Sequence, residues 1–316
     1  MKVLVTGGAG FIGSHLCEAL LADGHNVIAL DDLSTGNSSN LETFRKDPRF
    51  TFVEGSILEL SKVEQLVASV DGVMHFAAAV GVQKILKDPA GSLRTNIEGS
   101  ENVMRAASRM GKPTILASTS EIYGKNPQVP LTEESDRVLG SPLLARWTYS
   151  EAKAIDESIA RSLFESEGWK VKIVRLFNTV GPRQSGAYGM VIPRFIKAAL
   201  TNQNLEVHGD GSQRRVFCHI SDAVAGILAL WSSASGFGEV FNLGGFEEST
   251  INDLAKRVIA KTGATSSITY IPYSSMEGFE DIARRVPDSS KLTRLTGWKA
   301  THNLDAILDD VIASMK

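Results

Sequence analysis

Tyr149 and Lys153 are the two residues of this 316-residue chain whose types and spacing most directly suggest chemistry. They stand four positions apart, so a helix would place both on one face. A phenol with a pKa of about 10 is a poor base at neutral pH, and bringing that pKa near neutrality requires about 4 kcal/mol. An ammonium about 4 Å away, at an effective dielectric constant of about 20, supplies roughly that much. The pair could therefore hold a phenolate that takes the proton of a hydroxyl group.

A glycine-rich segment near the start of the chain has a second chemical signature. Its glycines, at positions 7, 8, 10 and 13, satisfy both G-x-G-x-x-G and G-x-x-G-x-x-G. Glycine lets the backbone approach a pyrophosphate, and the following helix offers free N–H groups and the positive end of its dipole. Asp31, about 20 residues on, can bond ribose hydroxyls and would repel a 2′-phosphate, so NAD is favoured over NADP. A glycine turn that only packs a strand on a helix, with Asp31 capping a loop, is the alternative.

The elements that must position these residues follow from the pattern of apolar runs. Short runs that are apolar without alternation indicate strands buried on both faces of a parallel sheet. Six such strands are predicted, at 2–6, 26–31, 50–54, 72–76, 113–118 and 170–176, with helical spacing at 12–23, 60–69, 92–110 and 147–167. This alternation of strands and helices predicts an α/β fold with a doubly wound parallel sheet of the Rossmann type. The Tyr149–Lys153 pair follows the fifth strand, which favours a catalytic role over a chance pair on a surface helix.

The second half of the chain has shorter and more varied elements. Helices are predicted near 191–201, 221–232, 251–262 and 302–315, strands near 205–208, 239–243 and 268–272, and a turn at 209–211. We expect a smaller mixed α/β domain packed over the carboxyl ends of the sheet, with a ligand cleft between the two. The predicted division is a dinucleotide-binding domain at 1–177 and about 217–245, and a second domain at 178–216 and about 246–316.

Composition excludes several classes of function. The chain is 43% hydrophobic and 22% charged, with a net charge of −3, so it has no nucleic-acid or anionic-membrane signature. Its longest apolar stretches are too short to cross a bilayer, and its start leaves no room for a signal peptide. Cys17 and Cys218 cannot form a disulfide framework, which fits a reducing cytoplasm. The six histidines lack metal-ligand spacing, so no metal is expected and a cytoplasmic location is predicted.

Several motifs together resemble one known family. They are the glycine loop, residues 118–124 (S-T-S-E-I-Y-G), the Tyr149–Lys153 pair, residues 178–183 (N-T-V-G-P-R), residues 209–215 (G-D-G-S-Q-R-R) and residues 284–288 (R-R-V-P-D). This set resembles the extended short-chain dehydrogenase/reductases, the NAD-dependent nucleotide-sugar epimerases, dehydratases and decarboxylases. The resemblance covers nearly the whole chain. It implies bound NAD, a nucleotide-sugar substrate expected to be UDP-linked and held by the second domain, and a homodimer formed through the helices near 92–110 and 147–167.

The resemblance also implies roles for individual residues. Tyr149 would take the proton of the sugar C4 hydroxyl while NAD takes the hydride, with Thr119 bonding the same hydroxyl. Asn178, Arg215 and Arg284 or Arg285 would hold the diphosphate, although a solvated face is the alternative for Arg215 and Arg284. The cofactor site is expected to comprise Gly7, Gly10, Phe11, Ile12, Gly13, Asp31, Asp32, Ser34, Thr35, Gly36, Ser56, Ile57, Phe76, Ala77, Ala78, Asn96, Ser118, Tyr149 and Lys153. Ser56 stands where many relatives have an aspartate near the adenine.

The choice of reaction depends on the residues beside Thr119. A usual 4,6-dehydratase carries Asp-Glu there, whereas this chain has Ser120-Glu121. Thr-Ser-Glu resembles the UDP-glucuronate decarboxylases, and Arg146 resembles an arginine of related decarboxylases that could face the sugar carboxylate. Decarboxylation, in which Thr119 and Tyr149 stabilise an enolate, is therefore the preferred interpretation. Met190 counts against it, because decarboxylases commonly have arginine there.

Other interpretations remain open at this stage. A UDP-sugar 4-epimerase, acting on UDP-glucose and UDP-galactose or on UDP-glucuronate, is the main alternative, and Glu121 would then only bond backbone at the strand end. A nucleotide-sugar dehydratase and a non-catalytic NAD-binding protein are the weaker alternatives. The Tyr149–Lys153 pair argues against a protein that only senses its cofactor. The long carboxyl-terminal part argues against a simple alcohol dehydrogenase.

Overall fold

The computed structural model describes residues 1–81, 88–186, 190–275 and 280–316. Its strands, in chain order, are β1 (Lys2–Thr6), β2 (Asn26–Asp31), β3 (Phe50–Glu54), β4 (Gly72–His75), β5 (Thr114–Thr119), β6 (Val171–Leu176), β7 (Thr179–Val180), β8 (Leu205–His208), β9 (Arg214–Val216), β10 (Cys218–His219), β11 (Val240–Leu243), β12 (Glu248–Thr250), β13 (Ile268–Ile271) and β14 (Arg284–Arg285).

The helices alternate with the strands in the first half of the chain and cluster in the second. They are α1 (Phe11–Ala22), α2 (Leu60–Ala68), α3 (Pro89–Arg94), α4 (Ser100–Arg109), α5 (Thr148–Glu167), α6 (Val191–Leu200), α7 (Ile220–Ser232), α8 (Ile251–Thr262), α9 (Ser290–Thr296) and α10 (Leu304–Met315). A π-helical stretch, Thr95–Gly99, joins α3 to α4, so the predicted helix at 92–110 is a composite. Within the described ranges, no helix is long and apolar enough to span a membrane.

The central sheet has seven parallel strands in the order β11-β6-β5-β4-β1-β2-β3. The chain moves outward from β1 to β3 and then crosses back to β4, on the other side of β1. Crossovers of this kind place helices on both faces of the sheet, and the reversal opens a crevice at the carboxyl ends of β1 and β4. This arrangement confirms the predicted doubly wound α/β fold.

The inner apolar strands predicted from sequence are buried on both faces, as the continuous runs require, whereas the edge strand β3 is only partly buried. Val3 and Val5 pack with Leu16 of α1 on one face, whereas Leu4 packs with Val63 and Val103 on the other. The bounds of β1, β2 and β3 match the prediction, and those of β4, β5 and β6 differ by one residue at one or both ends. The segment predicted as a strand near 239–243 adds a seventh strand, β11, beside β6.

The second half of the chain builds a separate apolar core from α6, α8 and α10. Ile196, Leu254 and Leu308 are fully buried within it. Three small sheets lie in the described part of this half: β8 pairs with β13, β9 lies between β12 and β14, and β7 pairs with β10. The division of the chain into two domains at the expected boundaries stays a prediction.

Candidate active site

A cavity of about 850 Å³ lies at the carboxyl ends of the central strands. It runs from the glycine loop after β1 past the ends of β5 and β6 to β9 and β14. Most of the residues predicted from sequence line it: Gly7, Gly10, Phe11, Ile12, Gly13, Asp31, Asp32, Ser34, Thr35, Ile57, Phe76, Ala77, Ala78, Ser118, Thr119, Ser120, Glu121, Arg146, Tyr149, Lys153, Asn178, Arg215 and Arg285. The fold thus brings together residues that are as far apart in the sequence as Gly7 and Arg285.

The glycine loop is tight because its glycines are in direct contact with backbone. A Cβ on Gly13 would lie 2.0 Å from the Gly7 carbonyl oxygen, and a Cβ on Gly7 would lie 2.7 Å from the Ala77 nitrogen. Gly7 also has a positive φ of 72°, which favours glycine. Gly8 instead packs against Ala29, where a Cβ would come within 2.5 Å. Gly7, Gly10 and Gly13 are therefore the glycines that face the cavity.

Asp31 ends β2 beside this loop and is nearly buried. One carboxylate oxygen accepts a hydrogen bond from Ala9 N at 2.9 Å, and the other accepts one from Leu33 N at 2.8 Å. Burial raises the pKa of Asp31, while these backbone donors oppose that rise. The carboxylate is thus fixed at the rim of the cavity, where it can still accept from ribose hydroxyls.

Four of the predicted site residues do not line the cavity among the residues that the structure describes. Asn96 is buried. Its side-chain oxygen accepts a hydrogen bond from Ala79 N, and its side-chain nitrogen donates one to the Ala79 carbonyl, so it stabilises the loop after β4. Arg284 is exposed and pairs with Glu248 at 2.6 Å, because β14 directs it away from Arg285. Ser56 and Gly36 also lie outside the lining. Gly36 lies against Asp31, whose carboxylate a Cβ would meet at 2.8 Å.

Tyr149 and Lys153 both line the cavity from the first turns of α5. The ammonium of Lys153 lies 3.0 Å from Oδ2 of Asp156, and both side chains are almost fully buried. Burial raises the pKa of Tyr149, and the negative charges of Glu121 and Asp156 raise it further. Burial and the two carboxylates therefore oppose the effect that the sequence led us to expect from Lys153 on the pKa of Tyr149.

Glu121 is the centre of a three-residue charge cluster beside Tyr149. Its Oε2 lies 2.6 Å from Nη2 of Arg146, and its Oε1 lies 2.7 Å from Nη1 of Arg285. Burial would raise the pKa of Glu121, but the Arg285 and Arg146 guanidinium groups outweigh it and lower that pKa to about 2. The carboxylate is therefore ionised at neutral pH and paired with arginines rather than with backbone.

The last two residues of β5 and the residue that follows them have distinct contacts. The Thr119 hydroxyl accepts a hydrogen bond from Glu121 N at 3.1 Å, which leaves its own proton to donate into the cavity. Ser120 is buried and accepts from Arg285 at 3.4 Å. Ser118 donates to Glu157 at 2.5 Å, and Glu157 in turn pairs with Arg175, so Ser118 is held by a buried network behind the cavity.

Two polar residues line the far end of the cavity. Asn178 donates to the Val216 carbonyl at 2.8 Å and has a positive φ of 28°. Arg215 pairs with Asp281 at 2.8 Å, and burial lowers the pKa of its guanidinium. A diphosphate approaching Arg215 would therefore compete with the Asp281 carboxylate.

Sequence reasoning missed some of the residues that the fold brings to the cavity. Arg183 lines it close to the glycine loop and pairs with Glu18 of α1 at 2.6 Å. Asp281 and Tyr273 reach it from the segments that flank residues 276–279. Arg183 is the last residue of the N-T-V-G-P-R motif that the sequence analysis identified, but its contact with α1 depends on long-range packing.

The residues present fit NAD. The loop at Gly7 and Gly13 leaves no space for a Cβ, so backbone N–H groups can approach a pyrophosphate at the amino end of α1. Asp31 would bond the adenosine ribose, and Phe76, Ala77 and Ile57 line the same cavity.

Comparisons with known proteins agree with this geometry. Residues 3–244 match the model of the NAD dependent epimerase/dehydratase family. The chain is 38% identical over 297 residues to a UDP-N-acetyl-alpha-D-glucosaminuronate decarboxylase of Bacillus cytotoxicus, covering 93% of this chain and 91% of that protein. It is 35% identical to UDP-glucuronic acid decarboxylase 1 of Danio rerio, covering 98% of this chain and 72% of that protein.

A solved structure shows the same similarity in three dimensions. UDP-glucuronic acid 4-epimerase from Bacillus cereus, in complex with UDP-glucuronic acid and NAD, superposes with a TM-score of 0.91 and 28% sequence identity. The superposition covers 100% of this chain and 99% of that one. These similarities confirm the resemblance, the enzymatic class and the NAD cofactor predicted from the sequence. The chain belongs to the NAD-dependent epimerase/dehydratase family.

Proposed function

We propose that the protein decarboxylates a UDP-linked hexuronic acid such as UDP-glucuronate, by oxidising the sugar at C4 and then releasing C6 as CO₂. The relatives from Bacillus cytotoxicus and Danio rerio are both named as decarboxylases of UDP-linked uronic acids. Their names support the substrate class, and the charges around Glu121 support it independently.

The observation that carries the proposal is the balance of charge at Glu121. Two nearly buried guanidinium groups, those of Arg146 and Arg285, converge on one carboxylate, which leaves one positive charge in excess. Uncompensated charge is costly in a buried site. A carboxylate on the substrate would balance this excess and could form bidentate hydrogen bonds with a guanidinium group.

The residue before Glu121 also argues against dehydration. A 4,6-dehydratase needs a protonated acid to expel the C6 hydroxyl, and Ser120 stands where a usual dehydratase carries that aspartic acid. Glu121, with its pKa lowered to about 2 mainly by Arg285 against the effect of burial, holds no proton at neutral pH. Its role in our proposal is to orient the two arginines.

The first step of the proposed reaction depends on Tyr149 and Thr119, which line the cavity together. Tyr149 takes the proton of the C4 hydroxyl, and Thr119 donates a hydrogen bond to the same oxygen. NAD, held at the glycine loop and Asp31, would supply the acceptor for the C4 hydride and its return, so that no cofactor is consumed overall, and its positively charged ring would favour the phenolate of Tyr149. The product of this step is a 4-keto uronic acid.

The second step follows from the structure of that keto acid. Its carboxylate is β to the C4 carbonyl, so the C5–C6 bond can break with CO₂ leaving and its electron pair passing to the C4 oxygen. The Thr119 and Tyr149 hydroxyls can donate to the resulting enolate oxygen. C5 then takes a proton, and a 4-keto pentose remains for reduction.

A second candidate is 4-epimerisation of the same uronic acid. Met190 lines the cavity where decarboxylases commonly have an arginine. The neighbour from Bacillus cereus is named as an epimerase of UDP-glucuronic acid. An epimerase would retain the carboxylate and let the keto sugar turn within the cavity before reduction.

Incubation with UDP-glucuronate labelled with ¹³C at C6 tests these alternatives. The proposal predicts labelled CO₂ and an unlabelled UDP-pentose by NMR. Retention of the label in UDP-galacturonate would favour the epimerase instead. UDP-glucose serves as the control, because it offers a C4 hydroxyl without a carboxylate. Interconversion of UDP-glucose and UDP-galactose, with the acid unchanged, would exclude both reactions of uronic acids.

The expected homodimer and cytoplasmic location remain part of the proposal. A shallow surface groove between α4 and α5 is lined by Arg105, Ile155, Ser158 and Ile159, and Ile155 is exposed. Covering these apolar side chains with the same helices of a second copy would bury them, as expected for a symmetric dimer.

A further inference from the structure

Trp147 is a fully buried side chain to which the proposed reaction assigns no role. The centroid of its indole ring lies 5.1 Å from Cζ of Arg146, which is within the range of a cation–π contact. In the described part of the chain, Arg146 forms a single ion pair, with Glu121, and its buried Nε–H has no hydrogen-bond partner. The indole ring is therefore a second contact that holds this guanidinium group in place.

A hydrogen bond from the second half of the chain fixes the orientation of the indole ring. Nε1 of Trp147 donates to Oε2 of Glu280 at 2.9 Å. Glu280 lies between β13 and β14, and its two carboxylate oxygens also accept from Nζ of Lys125 at 3.2 and 3.1 Å. Because Lys125 holds the Glu280 carboxylate, that carboxylate fixes the edge of the indole ring and hence the face that meets Arg146.

The backbone of Gly140 packs directly against this hydrogen bond. A Cβ on Gly140 would lie 2.0 Å from Oε2 of Glu280 and 2.3 Å from Nε1 of Trp147. The φ of Gly140 lies outside the left-handed region, so an alanine there would meet a steric conflict without backbone strain. A single methyl group at this position would therefore separate Glu280 from Trp147 without removing a charge or an aromatic ring.

We propose that Trp147 is a positioning residue: its indole ring, held by Glu280, keeps Arg146 oriented toward the substrate carboxylate and so favours a uronic acid over a neutral sugar. This inference rests on the proposed function, in which Arg146 and Arg285 receive that carboxylate. Among the residues that the structure describes, neither Trp147 nor Glu280 lines the cavity, so both act through Arg146. Binding of UDP-glucose, which has no carboxylate, should not depend on them.

Calorimetric titrations of the holoenzyme with UDP-glucuronate and with UDP-glucose test the proposal through the ratio of the two Kd values. They are made in the Tyr149→Phe background, so that neither sugar is converted. Trp147→Leu removes the ring and should lower the preference for UDP-glucuronate by about tenfold, as expected for one desolvated cation–π contact. Trp147→Phe keeps an aromatic ring and should retain part of that preference. Gly140→Ala should lower it by about fivefold, as expected for one hydrogen bond.

Trp169→Phe is the matched control, because Trp169 is also buried and its Nε1 donates to the Lys112 carbonyl outside the cavity lining. It should leave the ratio unchanged. An unchanged ratio in Gly140→Ala, or equal losses for the two sugars in the Trp147 and Gly140 variants, would overturn the inference. If Trp147→Leu fails to fold, Gly140→Ala decides alone. Equal affinities of the parent Tyr149→Phe protein for the two sugars would instead overturn the proposed function, and this inference with it.

Discussion

Nη1 of Arg285 lies 2.7 Å from Oε1 of Glu121, although 163 residues of sequence separate them. Arg285 comes from β14 and Glu121 from the turn that follows β5, so their contact joins the small carboxyl-terminal sheet to the catalytic edge of the central sheet. Both side chains line the cavity. The proposed substrate would therefore contact both halves of the chain at this charged cluster.

Replacing Arg285 tests whether this cluster recognises a carboxylate. Arg285→Ala removes one guanidinium group from Glu121 and from the proposed substrate carboxylate. A charge-assisted hydrogen bond contributes about 1.5–3 kcal/mol, so we expect kcat/KM for UDP-glucuronate to fall by about 50-fold. Steady-state kinetics with UDP-glucuronate measure this effect.

Arg284→Ala is the matched control for that substitution. Arg284 is the adjacent residue, has the same charge and pairs with Glu248 on the outside of the small sheet. We expect its removal to change kcat/KM by less than about twofold. Equal losses in the two variants would contradict the assignment of Arg285 to the substrate carboxylate.

The low pKa of Glu121 predicts a pH dependence of stability. Because the pKa is about 2 in the folded protein, against 4.5 for the ordinary side chain, the ionised group stabilises the fold above pH 4.5. That stabilisation, about 3 kcal/mol, is lost as the pH falls through the folded-state pKa, and about 1 kcal/mol is gone by pH 3.5. Urea unfolding of Glu121→Gln and of the unmodified protein should therefore differ most near neutrality. A difference that stays constant from pH 6 to about pH 3.5 would contradict the ionised pair.

The glycine loop predicts the effect of a single methyl group on cofactor binding. Gly13→Ala places a Cβ 2.0 Å from the Gly7 carbonyl oxygen, so the loop must shift. We expect the Kd for NAD to rise at least about tenfold, which corresponds to about 1.4 kcal/mol. Gly186→Ala is the control, because its Cβ would stay 3.5 Å from the nearest atom. NAD titration by calorimetry gives both constants, and equal affinities would argue against a close approach of the pyrophosphate to the loop.

The proposed dimer predicts that a charge on α5 separates the protomers. Ile155 is 41% exposed in the groove beside α4, and Ile155→Glu would place a charge in the expected interface. Light scattering should show a dimer for the unmodified protein and a monomer for this variant. Phe246→Glu, at another exposed apolar residue, should leave the dimer intact. A monomer at all concentrations of the unmodified protein would contradict the interface.

The central sheet was predictable because its strands carry their signal locally. The apolar runs that form β1 and β2 have no alternation, and their burial on both faces follows directly from that pattern. Strands such as β7 and β14 have two residues each. Their pairing depends on backbone partners far along the chain, so no local pattern indicates them.

The site shows the same division between local and long-range information. The Tyr149–Lys153 spacing fixes a common helical face, and the glycine pattern fixes the loop. The sequence could not distinguish Arg284 from Arg285, because the choice depends on which side of β14 meets Glu121. It also could not show that Asp156 balances Lys153, since that contact depends on burial of the helix face.

The proton acceptor is the centre of the account, and Tyr149→Phe tests it most directly. The variant keeps the ring but lacks the hydroxyl, so it should bind NAD as the unmodified protein does. Its rate of UDP-glucuronate conversion, measured at equal NAD occupancy, should fall by about 10³-fold, as expected for the loss of a general base. A rate within about tenfold of the unmodified protein would contradict the role of Tyr149 as the base.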